Sequence, residues 1–441
     1  MIKKKLLFVI MTILFIIIGN SYLLWIKNPF LLIPLLLVLF WLNVIPSLCG
    51  DKVIKGRLRI CLHGNVLLQM FIIYLAASVL FNTYLGIKTI PNDWQICLFN
   101  AINCTVVGSV VFWNGIISVY VGSRQIGMKM RVLGIIFGLF PILNLILLSR
   151  IVLITKNEIK LESNKIRINK LREKERICAT KYPIVFVHGI FFRDSNIINY
   201  WGRIPKELER NGAQVFYGGQ QSALAIKDSA TELAIQIREI VGKTKCKKVN
   251  IIAHSKGGLD TRYAIQNCGL GEYVASLTTV NTPHRGCKFA DYILEKAPER
   301  LTRYIANKYN KMYRLLGDES PNFLSAVKDL TSKSCTEFNK NVTYTGSVYC
   351  QSVGSVQKRA RSGKFPLNLT YHLVNIFDGE NDGLVGSESF PWGERYISKK
   401  PKGRIGISHA DMVDLSRTDV PGFDVREFYV ELVSDLKTRG F

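Results

Sequence analysis

Acidic residues are nearly absent from the first third of this chain. Residues 1–155 of 441 hold 2 Asp+Glu against 13 Lys+Arg. That excludes an ordinary soluble domain there, whose surface would mix both signs. The ten cysteines contain no CxxC pair, which removes zinc-ribbon and thioredoxin-like readings. Six of them, Cys178, Cys246, Cys268, Cys287, Cys335 and Cys350, are scattered over the second part, and Cys49, Cys61, Cys97 and Cys104 lie in or beside the first; none of this is a dense disulfide framework. Histidine is scarce too: His63, His188, His254, His284, His372 and His409 are the whole set. Any chemistry that needs an imidazole is confined to these six.

What the first part does have is apolar runs: Leu6–Leu24, Phe30–Leu48, Val66–Leu85, Cys97–Val121 and Val132–Ile154. Each is near the ~20 residues needed to cross a hydrocarbon core, so five spans are expected. None carries a charge at its centre of the kind that marks an ion path, which favours an anchor over a transporter. The basic clusters at Lys3–Lys5, Lys52/Lys55/Arg57/Arg59 and Arg124/Lys129/Arg131 alternate with loops holding only Lys27 and Lys88. The positive-inside rule puts the clusters in the cytoplasm and everything after Ile154 outside. The net charge of +25 is therefore read as topology and lipid-headgroup attraction, not as a nucleic-acid surface. Residues 156–181, with eight basic residues and four glutamates between Lys156 and Arg176, are expected to be a charged helix or linker.

From Tyr182 the pattern changes to short apolar runs alternating with amphipathic stretches. Pro183–Val187, Ala213–Tyr217, Val249–Ala253 and Val274–Val280 read as strands; Trp201–Arg210, Ala230–Val241 and Lys256–Asn267 read as helices. This alternation implies a mostly parallel sheet covered on both faces. Further strand-like stretches are Val342–Val348, Tyr371–Phe377 and Arg404–Ile407.

Ala253–Gly258 (AHSKGG) falls between a predicted strand and a predicted helix. A sharp strand-to-helix turn that exposes a serine needs small residues two before and two after it, and Ala253 and Gly257 supply them. Ser255 is thus the expected nucleophile of an α/β-hydrolase fold. Acyl transfer also needs two backbone N–H groups aimed at the developing oxyanion. Lys256, after the serine, offers one; Ile190, in the VHGI turn after the first strand, offers the other. His188 in that turn reads as structural.

This fold orders its triad serine, acid, histidine, so the base comes late. His409 in ISHAD is preferred over His372, which precedes any plausible acid. The acid is Asp382 in GENDGLV, 27 residues before His409, with Asp378 the runner-up. An insertion of about 60 residues follows Asn281. Within it, Ala306–Leu316 shows Tyr309, Met312 and Leu316 at helical spacing, which reads either as a lipid-facing lid or as a cap helix.

YPIVFVHGI, YW near the next helix (Tyr200–Trp201), KVNIIAHSKGGLDTRY, VNTPHRGCKFAD, NDGLVG and SHAD, in this order, resemble bacterial triacylglycerol lipases of the Pseudomonas–Burkholderia and staphylococcal type. The resemblance covers residues 182–441. It implies Ser255, Asp382 and His409 as the triad, Ile190 and Lys256 as the oxyanion hole, a lid within about 288–340, and a lipid or other acyl-ester substrate. The chain departs from the pattern at Ala253, where glycine is common. Relatives also hold a structural calcium near the catalytic histidine. Asp411 matches one ligand position, but Cys350–Leu367 offers no partner carboxylate, so calcium rests on Asp411 alone. The spans of residues 1–155 lie outside the family pattern. The reading is a membrane-anchored serine ester hydrolase. The alternatives are an acyltransferase on the same triad, or a binding module.

Overall fold

A computed structural model describes the chain except residues 1, 49–50, 52, 139, 191–198, 316, 344–345 and 401–402. Cys49, Lys52 and Leu316, named above, lie outside the described residues. The chain divides into two compact units, Met1–Leu171 and Arg172–Phe441.

The first unit is helical: α1 (Ile2–Gly19), α2 (Tyr22–Trp25), α3 (Leu32–Leu42), α4 (Gly56–Gly122), α5 (Gly127–Ile136) and α6 (Pro141–Arg172). α4 bends at Asp93, whose φ of −134° and ψ of 61° are not helical. Three helical stretches are long and apolar enough to cross a membrane: Pro29–Ser47, Gly56–Ile90 and Asn92–Gly122. The other two expected spans are interrupted. Leu6–Leu24 stops being one helix at Gly19, and Val132–Ile154 breaks between α5 and Pro141, which cannot continue an incoming helix's hydrogen bonds. Side chains such as Leu80, Ile87 and Ile142 stay exposed around these helices, a pattern that water-soluble surfaces avoid. Small residues let the helices approach. A Cβ on Gly19 would stand 2.2 Å from the Tyr74 hydroxyl, and the Tyr74 ring stacks on Phe15 at 4.0 Å. One carboxylate is buried in this unit. Glu158 accepts from Arg57, from the Ser123 hydroxyl and from the backbone N–H groups of Arg124 and Gln125. α6 continues through the expected linker as far as Arg172.

The second unit is a six-stranded, all-parallel sheet in the order β2-β1-β3-β4-β5-β6. Its strands are β1 (Ile184–Val187), β2 (Val215–Tyr217), β3 (Val249–His254), β4 (Val274–Val280), β5 (Tyr349–Ser355) and β6 (Arg395–Lys399). The central strands are buried on both faces, so they read as mainly apolar runs without a polar face. Alternate side chains then divide between two cores. Ile184, Phe186 and Ile252 pack with α7 (Ile204–Arg210) and α15 (Val425–Thr438), whereas Val185, Val187 and Ile251 pack with α8 (Ile226–Thr244) and α9 (Lys256–Asn267). Between β4 and β5 come α10 (Lys288–Lys296), α11 (Glu299–Leu315), α12 (Phe323–Lys328) and α13 (Ser332–Asn341).

Three expected strands are absent. Val342 caps α13, and β5 starts only at Tyr349. Tyr371–Phe377 belongs to α14 (Leu367–Asp378), where Leu367 and Val374 are buried seven residues apart, a helical repeat that a window opening at Tyr371 misses. Arg404–Ile407 is a loop; the Ile407 N–H reaches the Val356 carbonyl at 2.8 Å without extending into a ladder. The edge strand β6 goes unanticipated because its residues are mostly exposed.

Candidate active site

Strand order reverses at β1, which lies between β2 and β3. Open α/β sheets bind ligands at the carboxyl ends of the strands flanking such a switch. Here those ends carry the VHGI turn and Ser255. Ser255 has φ 54° and ψ −130°, a strained backbone that the tight turn into α9 requires. The neighbours leave no room for side chains. A Cβ on Gly257 would lie 2.4 Å from the His188 carbonyl, and one on Gly189 would lie 2.8 Å from the Ser255 Cβ. His188 locks the turn, with Nδ1 2.9 Å from the Gly189 carbonyl and Nε2 2.9 Å from that of Gln220.

Asp382 and His409 meet. Nδ1 of His409 lies 2.6 Å from Oδ2 of the fully buried Asp382, and the His409 backbone N–H donates to the Asp382 carbonyl at 2.8 Å. The other carboxylate oxygen of Asp382 accepts the N–H groups of Leu384 and Val385 at 2.9 and 2.8 Å. These bonds fix the carboxylate in the GENDGLV turn before the histidine arrives. The runner-up, Asp378, instead accepts the Lys288 N–H. His372 is exposed on α14, and His284 is buried with Nε2 2.9 Å from the Thr279 hydroxyl and Nδ1 3.1 Å from Arg262. Of the late histidines only His409 faces a carboxylate.

The His409 ring is brought to the neighbour of Ser255: its centroid is 4.4 Å from that of His254, the residue before it. Among the described residues the Ser255 hydroxyl and Nε2 of His409 have no hydrogen-bond partner; catalytic bonds of this kind often tighten only around substrate. His254 is itself held by Tyr200, whose hydroxyl lies 2.6 Å from Nδ1. Burial first, and then the adjacent His409, keep the His254 imidazole well below its usual pKa, so it stays neutral.

The candidate oxyanion residues are both buried. Lys256 places its ammonium 2.7 Å from Asp260 and 2.9 Å from the Ser229 hydroxyl, an ion pair that pins the first turn of α9. Burial pushes the Asp260 carboxyl up to about 7 against the pull of Lys256. The Ile190 carbonyl accepts the Tyr313 hydroxyl of α11 at 2.7 Å, so the inserted helices grip the VHGI turn.

Three of these residues escape sequence reading. Asn281, at the end of β4, donates to Oδ2 of Asp382 at 2.6 Å and to the Ser355 hydroxyl at 2.7 Å. Tyr200 and Tyr313 act across 54 and 123 residues of sequence. Asn281 and Tyr200 left a trace, as the asparagine of the VNTP string and the tyrosine of YW, with no role attached to either.

Among the described residues, those around Asp411 do not form a calcium site. Oδ2 of Asp411 is taken up by the N–H and hydroxyl of Ser408 at 2.9 and 2.7 Å, and the Lys364 charge faces it. Among the described residues no three His, Cys, Asp or Glu side chains cluster to hold a metal.

The matching family model, described as palmitoyl protein thioesterase, spans residues 183–351, which includes Ser255 but ends before Asp382 and His409. A triacylglycerol lipase of Vibrio cholerae is 36% identical over 257 residues, covering 53% of this chain and 80% of that protein. The chain belongs to the triacylglycerol lipase family. Two further lipase relatives are matched over less of their length. Those of Pseudarthrobacter phenanthrenivorans and Burkholderia plantarii, each 32% identical over 180 residues and 38% of this chain, are spanned for 56% and 50% of theirs. Staphylococcus hyicus lipase, a solved structure, superposes with a TM-score of 0.45 at 17% identity, covering 59% of this chain and 97% of that one. In all these lipase matches the aligned share of the chain is no larger than the second unit.

Proposed function

We propose that the second unit is a serine ester hydrolase that cleaves acyl esters of lipids, held at a membrane by the first. The observation that carries this reading is the Asp382–His409 contact, with the His409 ring beside the strained turn bearing Ser255. In this reading Nε2 of His409 takes the Ser255 proton as the hydroxyl oxygen attacks the ester carbonyl. Asp382, tethered by Asn281, Leu384 and Val385, keeps the imidazole's Nδ1 proton in place and stabilises the imidazolium. The backbone N–H groups of Ile190 and Lys256 receive the negative oxygen. His409 returns the proton to the departing alcohol. A water, deprotonated by His409, then attacks the acyl-serine and releases the carboxylic acid.

Two features favour a lipid substrate. The relatives are named for it, and α11 exposes Leu301, Tyr304 and Ile305 on one face, as a helix meeting a lipid surface would. The expected stripe at Tyr309 and Met312 turns inward instead, with Tyr309 stacked on Phe323 at 4.4 Å. α10–α13 thus serve as a lid whose apolar face is Leu301–Ile305. The loop charges orient the second unit outside the cell.

The test uses the full chain in membranes with a short-chain and a long-chain acylglycerol and a fluorophosphonate probe. Ser255→Ala is expected to lose both hydrolysis and labelling; an alanine variant that still labels refutes the assignment. Hydrolysis products outweighing transfer to added alcohol distinguishes water from an alcohol as second acceptor. Digestion of the second unit by protease in intact cells checks the orientation.

A further inference from the structure

The first unit holds a cavity that an anchor does not need. It has a volume of about 380 Å³ and is lined by both arms of α4 and by α6, with Tyr74, Ser78, Asn82, Cys104, Thr105 and Asn144 among its walls. Beside it four asparagines form one network. The Asn100 amide donates to Oδ1 of Asn82 at 3.0 Å, the Asn20 amide to the Ser78 hydroxyl at 3.0 Å, and the Asn103 amide to the Gly19 carbonyl at 2.8 Å. Asn82 and Ser78 belong both to the network and to the cavity wall. Asn100 is fully buried, yet its Oδ1 has no partner.

Amides in apolar helices are costly and are kept as interhelical glue or to meet a polar ligand. Glue accounts for the bonds between Asn82, Asn100 and Asn20. It does not account for an open space of ligand size among them, since helices held only by packing close such gaps. Among the described residues no Asp, Glu, Lys, Arg or His lines the cavity. Amide, hydroxyl and thiol groups can bond esters and hydroxyls but cannot neutralise a carboxylate or phosphate, so the walls select an uncharged ligand. Asn100 lies about 12 Å along the helix from Asn92, where the second arm starts, and Asn20 follows the end of α1. The cluster is thus near one end of the apolar stretch, at the depth of lipid ester groups.

We propose that this cavity binds an uncharged mono- or diacylglycerol, its hydroxyl and ester oxygens on the asparagine cluster and its chains along the outer faces of α4. This rests on the membrane reading of the first unit. The experiment inserts the full chain, carrying Ser255→Ala so that no probe is hydrolysed, into phosphatidylcholine nanodiscs. A diacylglycerol bearing a diazirine and an alkyne on one chain is photolysed and its adducts mapped. Adducts are expected within 74–82 and 104–112. They should fall about tenfold in Asn82→Leu, the size of one lost buried hydrogen bond. They should fall likewise in Thr105→Trp, which fills the space from an exposed wall position. A fatty acid with the same photoreactive chain should not compete. Adducts spread evenly over the helices, or equal labelling by the fatty acid or a phosphatidylcholine probe, overturn the inference while leaving the anchor intact. A chain that stays outside the nanodisc overturns both.

Discussion

The two units bury polar groups in opposite ways. In the first, burial falls mostly on neutral amides and hydroxyls, and the enclosed charged side chains, Glu158 and Lys165, lie past the apolar stretch, Glu158 being shared by Arg57, Ser123 and two backbone N–H groups. In the second, charged groups are enclosed beside Ser255: Lys256 paired with Asp260, and the Asp382 carboxylate against the His409 ring. Both arrangements answer the same cost of taking charge out of water. In the proposed membrane reading of the first unit, a hydrocarbon surround offers no second partner, so charge is kept out of the apolar stretch. A protein interior can supply several donors at fixed positions, so charge is kept where chemistry or rigidity uses it.

This contrast can be broken at its strongest point first. Asp382→Asn leaves the packing but takes away the charge behind His409; kcat for ester hydrolysis is expected to fall by about four orders of magnitude, with KM little changed. Next, Lys256→Met strands a buried carboxylate and is expected to cost about 3–5 kcal/mol in urea unfolding, whereas Lys256→Met/Asp260→Leu recovers most of it. Glu158→Gln should cost clearly less, because Arg57 keeps a side-chain exposure of 31% and can turn to water. Equal costs would erase the distinction between the units. A smaller effect comes with pH. His254 and His284 are held neutral in the fold, the first by burial and His409, the second by burial and Arg262. The unfolded chain therefore binds more protons below about pH 6.5. Stability is fully present above that value and falls as the pH drops, by about 1.4 kcal/mol per pH unit for each histidine. His284→Gln should flatten the slope of thermal midpoint against pH. The smallest change is Tyr313→Phe, worth about 1 kcal/mol. It should raise hydrogen exchange around Ile190 while hydrolysis drops only a few-fold.

The sequence disclosed most where function is local. The turn around Ser255 needs small residues within two positions of it, and that demand is written in AHSKGG. The ends of α9 and β4 match the sequence expectation because the apolar runs there are buried on both sides. Asp382 was preferred to Asp378 for its place in the Gly- and Asn-rich GENDGLV turn; the bonds from Leu384, Val385 and Asn281 that fix it depend on the folded turn and on a strand 101 residues away. Tyr313 gave no signal at all, since a tyrosine on an amphipathic helix looks the same whether it faces lipid or a carbonyl. Tyr371–Phe377 misled because its β-branched and aromatic residues favour a strand, while its helical partner, Leu367, lies upstream.

The way into the second unit and its final helix are stapled together. Arg172 makes a bidentate pair with Glu427 of α15, the Lys181 N–H donates to the Phe441 carbonyl, and Lys437 reaches the Arg176 carbonyl. α15 also completes the core on which Phe186, Trp201 and Ile252 rest. During synthesis the ribosome delivers the apolar helices first and α15 after every other element. β1 and α7 must wait for it with one face uncovered. The turn that carries Ser255 therefore lacks a finished scaffold until α15 has been made.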